Sequence, residues 1–148
     1  MKPICTLVML ASDGGYRLLS STALESGLTE VETRLADDFP DVAVSFDDRP
    51  GRGETRPGGA HHGYDARATA QEMARHRMAH HIMAALQQTW DKGGYDRFIL
   101  SAPDKMLAVL RHDMPAALAP HQLADMDKDL VKIPIHDLPS HFSDLVRV

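Results

Sequence analysis

The sequence predicts an α/β fold: a single domain over residues 1–148, with a mixed sheet of about five strands and one long helix packed across it. Three observations carry this reading. The apolar run at residues 4–10 is too short for a typical helix and too continuous for a half-exposed strand. The stretch from Thr69 to Trp90 holds no Gly or Pro and repeats apolar residues every four positions. A second strand-like run at 95–101 follows a Gly-Gly pair and leads into Ala102-Pro103, the pattern of a β-loop-α unit.

Taken in order, Ile4 to Leu10 reads as a strand buried on both faces. Asp13-Gly14-Gly15 supplies turn residues that tolerate positive φ, so Tyr16 to Ser20 should return as the second arm of a hairpin. A third strand is predicted at Thr29 to Leu35, with Val31, Thr33 and Leu35 on one face and Glu30, Glu32 and Arg34 on the other. From residue 36 to about 64 the chain turns to Asp, Arg, Gly, Pro and His, with Val42, Val44 and Phe46 the only apolar alternation. A long irregular loop is predicted there, and loops beyond about 12–15 residues in a compact domain are usually functional or disordered.

Thr69-Ala70-Gln71-Glu72 fits a capping box, with Asp65 offering an earlier start, and the helix should run until Gly93-Gly94. Ala74, Met78, Ile82, Leu86 and Trp90 form its apolar stripe, widened by Met83 and Ala85, and this face should pack on the sheet. Pro103 opens a short helix through Leu110. Pro115 and Pro120 punctuate the next stretch, Gln122 to Met126 suits a short edge strand, and Ile135 to Val146 suits a last helix interrupted by Pro139.

Composition narrows the function. Hydrophobic residues make up 43% and charged residues 25%, an ordinary globular balance. Sixteen Lys and Arg against twenty-one Asp and Glu give a net charge of -5, so nucleic-acid contact must be local, without a global positive field. The single cysteine, Cys5, rules out an internal disulfide and is expected to be a buried, inert thiol. No apolar stretch approaches the roughly 20 residues of a membrane span, and the N-terminal run lacks a signal-peptide cleavage pattern. A cytoplasmic protein with no membrane partner is expected.

Several chemistries can be weighed on spacing. Glu72, His76 and His80 recur at i+4 on one helical stripe, with His81 beside them, which could meet a divalent ion but fits a solvated helix face better. No metal and no other cofactor is expected. Asp125-Met126-Asp127-Lys128-Asp129 imitates the start of a calcium loop, but Leu130 stands where the turn requires Gly and His136 where a bidentate Glu belongs. Gly-x-Ser-x-Gly, Gly-x-x-x-x-Gly-Lys-Ser/Thr and Gly-x-Gly-x-x-Gly are all absent, which removes the common hydrolase, phosphate-loop and dinucleotide classes. The remaining constellation is the segment from Arg49 to Gly63, where Arg49, Arg52, Arg56, Gly58, Gly59, Ala60, His61 and His62 lead into a helix start. Guanidinium forks and helix-start N–H groups suit a phosphate or an RNA backbone. Asp47, Asp48, Glu54 and Asp65 offset that charge, so a solvated loop is the competing reading.

Four segments in sequence, Leu10-Ala11-Ser12-Asp13-Gly14-Gly15-Tyr16-Arg17, Asp48-Arg49-Pro50-Gly51-Arg52, Gly94 to Pro103 and Met126-Asp127-Lys128-Asp129-Leu130, look like successive hallmarks of the host attachment protein family. The resemblance runs nearly end to end. That family is similar to α/β domains of the archaeo-eukaryotic class I release factors, in which a Gly-Gly-Gln loop precedes a long helix and enters the ribosomal peptidyl transferase centre. The resemblance therefore implies a release-factor-like fold and a ribosome or tRNA partner. Gly58 and Gly59 sit where that loop's glycines would be, and Ala60 stands in place of the glutamine, which implies that peptidyl-tRNA hydrolysis is weak or absent.

The resulting expectation is a non-catalytic or weakly catalytic RNA- or ribosome-associated module that makes contact through the Arg- and Gly-rich loop. The alternative is a protein-interaction factor in host association or stress that binds a protein partner and no RNA. A metal-assisted hydrolase on Glu72, His76 and His80 ranks behind both.

Overall fold

The computed structural model describes residues 3–47 and 59–146, and for 44–47, 59–66 and 146 the course of the backbone alone. Five strands form one mixed sheet: β1 (Thr6–Ser12), β2 (Gly15–Ala23), β3 (Gly27–Leu35), β4 (Arg97–Ala102) and β5 (Gln122–Asp127). Their order across the sheet is β3-β2-β1-β4-β5. The first three form an antiparallel meander, whereas β4 lies parallel to β1 and β5 parallel to β4.

The central position of β1 explains its unbroken apolar sequence. Leu7, Met9 and Ala11 face a cluster completed by the helices α1 (Pro40–Asp47), α2 (Gly59–Asp91) and α3 (Asp104–Asp113). Val8 and Leu10 face a second cluster, closed by Leu130, Leu138 and Phe142 of the C-terminal segment and its helix α4 (Pro139–Val146). With both faces covered, strand alternation sorts apolar residues between two cores instead of between core and water. Arg17 ties the second layer to the sheet, donating to the carbonyls of Val131 and Ile133 at 2.9 and 2.7 Å. Edge strand β3 is largely exposed, and register shifts between β2 and β3 interrupt its ladder, a usual way of blunting an edge.

Three sequence expectations change in detail. The β1–β2 turn uses no positive φ: among the described residues only Gly93 (+86°) and Gly94 (+94°) do, where they end α2. Gly15 is required for a different reason, because a Cβ there would lie 2.6 Å from the Arg34 carbonyl oxygen across the β2–β3 ladder. The irregular loop expected from 36 to 64 is regular at both ends. Ala36–Asp38 is a 3-10 turn, Pro40–Asp47 is α1, and α2 already begins at Gly59, so the capping-box pattern at Thr69 lies inside the helix. Pro40 at the first helical position and Asp41 in the first turn are the local causes of α1, and Val42 is fully buried among the α2 side chains. Finally, Pro139 opens α4 instead of interrupting a longer helix, and Ile135–Asp137 is a separate 3-10 turn.

Candidate functional site

The sequence-predicted loop residues divide at residue 59. Arg49, Arg52, Arg56 and Gly58 lie outside the described residues, while Gly59, Ala60, His61 and His62 form the opening backbone of α2. This helix has 33 residues, about 50 Å at 1.5 Å per residue. It has two unlike parts. From Arg67 to Met73 no side chain is buried, and Met73 is 47% exposed. From Ala74 onward the predicted stripe crosses the sheet, with Met78, Ile82 and Leu86 fully buried and Trp90 packed at the margin. The division follows the sequence, since on this four-residue stripe only the small Ala66 and Ala70 precede Ala74 and the large apolar residues begin at Met78.

Glu72, His76 and His80 are exposed, and no group of three His, Cys, Asp or Glu side chains placed to share a metal occurs among the described residues. Their neighbour His81 turns towards α1. Its ring stacks on Phe39 at 4.1 Å, and its Nε2 lies 2.8 Å from Asp41 Oδ1. The bond to His81 is the main reason that the Asp41 carboxyl sits below the usual aspartate range. These groups fasten α1 to α2. Cys5, only half-buried, has its thiol pushed up, first by burial and then by the neighbouring Asp96, which agrees with an unreactive role. Asp125, first residue of the calcium-like run, lies on β5 and pairs with Arg111 of α3 at 2.7 Å.

A cleft of about 390 Å³ opens at the carboxyl ends of the parallel strands. The turn after β1 brings Ser12, Asp13 and Gly14 to it, and the start of α3 brings Pro103 to Met106. Asp129 and Lys132 come from the chain after β5, and Arg75 reaches in from α2. Arg75 grips Asp13 with Nε at 3.1 and 3.2 Å from the carboxylate oxygens and Nη2 at 3.1 Å, so these two charges cancel. Asp104 accepts a bond from the Lys105 N–H at 2.8 Å. Ser101 Oγ donates to the Lys128 carbonyl at 2.7 Å and fixes the chain that leads to Asp129.

Sequence reasoning did not assemble this cleft. Each wall comes directly after a strand, which was visible, but only the order β1-β4-β5 makes the three strand ends neighbours. In this order β1 passes to β2 on one side while β4 enters on the other, a topological switch point where open α/β sheets commonly bind ligands.

The bacterial archaeo-eukaryotic release factor family 12 matches residues 5–142. The chain belongs to this family. No curated protein matches the chain. The match takes in all five strands, α1 to α3 and the first half of α4, so family 12 membership describes the domain as a whole and the release-factor-like reading of the sequence holds. Three of the four segments that carried the resemblance, those around Asp13, Pro103 and Asp129, converge on the cleft of this family 12 protein. Among the described residues no helix is long and apolar enough to cross a membrane.

Proposed function

We propose that this family 12 protein is a ribosome- or tRNA-associated module that touches RNA through the Arg49 to His62 segment and the adjoining exposed turns of α2, with little or no hydrolytic activity. Membership of a release-factor family over residues 5–142 carries the reading. Two features support it. The stretch of α2 from Arg67 to Met73, which has no buried side chain, has surface to offer a partner, and Ala60 in place of glutamine leaves that position without the side chain that release chemistry is expected to use.

The test is co-sedimentation with ribosomes and filter binding to single-stranded RNA across a salt series. Replacing Arg49, Arg52 and Arg56 with Ala removes up to three phosphate contacts. At about 0.7 per contact on single strands, the slope of log affinity against log salt should flatten by about two units. Identical binding by wild type and the triple variant at every salt concentration refutes RNA contact through this segment. Co-purification with a protein partner and no ribosomes would favour the protein-interaction reading.

A further inference from the structure

We propose that edge strand β3 pairs antiparallel with β3 of a second copy of this chain, centred on Thr33, so that two five-stranded sheets join into one. The inference is independent of RNA contact through α2.

The backbone of this edge is set up to pair. Among the described residues β3 is last in the sheet order, with β2 on one side and no strand on the other. Its C-terminal half runs in regular register, because both register shifts fall before Glu32: Leu18, Arg17, Tyr16 and Gly15 face Glu32, Thr33, Arg34 and Leu35 in turn. Just beyond, the Ala36 N–H donates inward to the Gly14 carbonyl at 2.9 Å. Antiparallel ladders alternate, so Arg34 and Glu32 also turn their backbone groups to β2, and the exposed Thr33 turns its N–H and C=O outward. An edge with outward groups is a template for a further strand. The Leu35 N–H, next outward in the alternation, is taken by Asp38 Oδ2 at 2.9 Å, which confines the free ladder to a short segment.

The side chains decide which strand fits. Residues 31–35 read Val-Glu-Thr-Arg-Leu. Reversed against itself about Thr33, this segment sets Val31 opposite Leu35 of the second copy and Glu32 opposite Arg34, each pair occurring twice by two-fold symmetry. Val31 is 40% and Leu35 58% exposed, two of the five large apolar side chains left exposed among the described residues. Within one chain Arg34 Nε only approaches Glu32 Oε2, at 4.0 Å, so both charges can face an opposite charge across the two-fold axis. Since their backbone groups turn to β2, Glu32 and Arg34 would form the non-hydrogen-bonded pairs, where side chains come closest. Glu30, the next charge along β3, is already held by Arg17 at 3.3 Å. Moving the centre to Glu32 sets Glu32 against Glu32, and moving it to Arg34 sets Arg34 against Arg34, so charge selects the register centred on Thr33.

The paired segment is short against the roughly 800 Å² per partner of a standard interface, so the dimer should be weak, with Kd on the order of 0.1 mM. Sedimentation equilibrium on the full chain, from about 10 µM to about 1 mM, should show the mass rising from one chain towards two. Glu32→Arg and Arg34→Glu should each weaken self-association by about tenfold or more, because each sets like charges across the axis. An equimolar mixture of the two variants should dimerise again, since every opposed pair is then opposite in charge. Misfolding cannot produce that recovery, and thermal melts check each variant alone. Thr33→Pro removes an N–H that β2 does not use, so it should abolish the dimer and keep the monomer fold. Wild type that stays monomeric throughout overturns the proposal and leaves this edge to a strand of another protein. Unchanged association in either charge variant, or no recovery on mixing, overturns it as well. Ribosome co-sedimentation of Thr33→Pro should match wild type, so the dimer and RNA contact can fail separately.

Discussion

Two methionines on one helix give a controlled measurement of where α2 joins the core. Met78 is fully buried between the helix and the sheet, whereas Met73, five residues earlier, is 47% exposed. Changing each to Ala alters helix propensity alike, so the difference between the variants reports burial alone. At Met78 the lost transfer energy and the cavity left behind should cost about 2–5 kcal/mol. At Met73 the change should stay within about 0.5 kcal/mol. For a domain of this size the Met78 loss corresponds to a fall in melting temperature of roughly 4–20 °C. With a urea dependence of about 2 kcal/mol per molar, a 3 kcal/mol loss lowers the midpoint by about 1.5 M.

Trp90 is the only tryptophan and packs at the end of the same stripe, so its fluorescence follows this interface directly, with far-ultraviolet dichroism as the second probe. Comparable destabilisation by both variants, or a Met78→Ala cost below about 1 kcal/mol, would refute the division of α2 at Ala74. The functional corollary is opposite in sign. Met73→Ala should leave stability intact and, on the proposed function, weaken ribosome association, because an exposed methionine is available contact area for a partner.

Gly15→Ala should destabilise by about 1–3 kcal/mol in urea melts, since its Cβ would fall 2.6 Å from backbone that cannot swing aside, while Gly27→Ala, with open space around it, should be nearly neutral. Hydrogen bonding to Arg111, followed by the charge of that guanidinium, holds the Asp125 carboxyl below the usual aspartate range. Stability from a lowered carboxylate pKa is complete above the unfolded value and drains as pH falls through the folded one, so Asp125→Asn should flatten the acid limb of a stability–pH curve below about pH 4.

Legibility in the sequence tracked how locally each feature is determined. The β1 run, the α2 stripe and the Gly93-Gly94 stop could be read because burial on both faces, a four-residue repeat and two positive-φ glycines each leave a signature within a few residues. The helix α1 was obscured because Val42, Val44 and Phe46 alternate like a strand, although Pro40 and Asp41 carried a helix-start signal. The early start of α2 was hidden because Gly58, Gly59 and Gly63 read as breakers, and only the small Ala66 and Ala70 extend the stripe before Ala74 to argue otherwise. The cleft was least legible. Asp13, Arg75, Lys105 and Asp129 are far apart in the chain, and parallel pairing of β4 with β1 and of β5 with β4 is the reason their strand ends come together.

Arg75 stands at the join between these levels. It comes directly after Ala74, the first buried side chain of α2 among those described, and its grip on Asp13 ties that point of the helix to the turn after β1. The cleft wall and the base of the exposed helix are therefore one structural element. The net charge of -5 then limits how far charge alone can drive RNA binding. In the proposed contact about three arginines, each releasing less than one counterion, would act against the repulsion of an acidic domain, so the salt-dependent part of the affinity should be small. On that proposal the remainder would come from salt-insensitive surface such as the exposed Met73 and the exposed turns from Arg67 onward. If association with the ribosome survives at high salt in wild type and is lost there in Met73→Ala, contact area carries the binding and the arginines mainly set its rate.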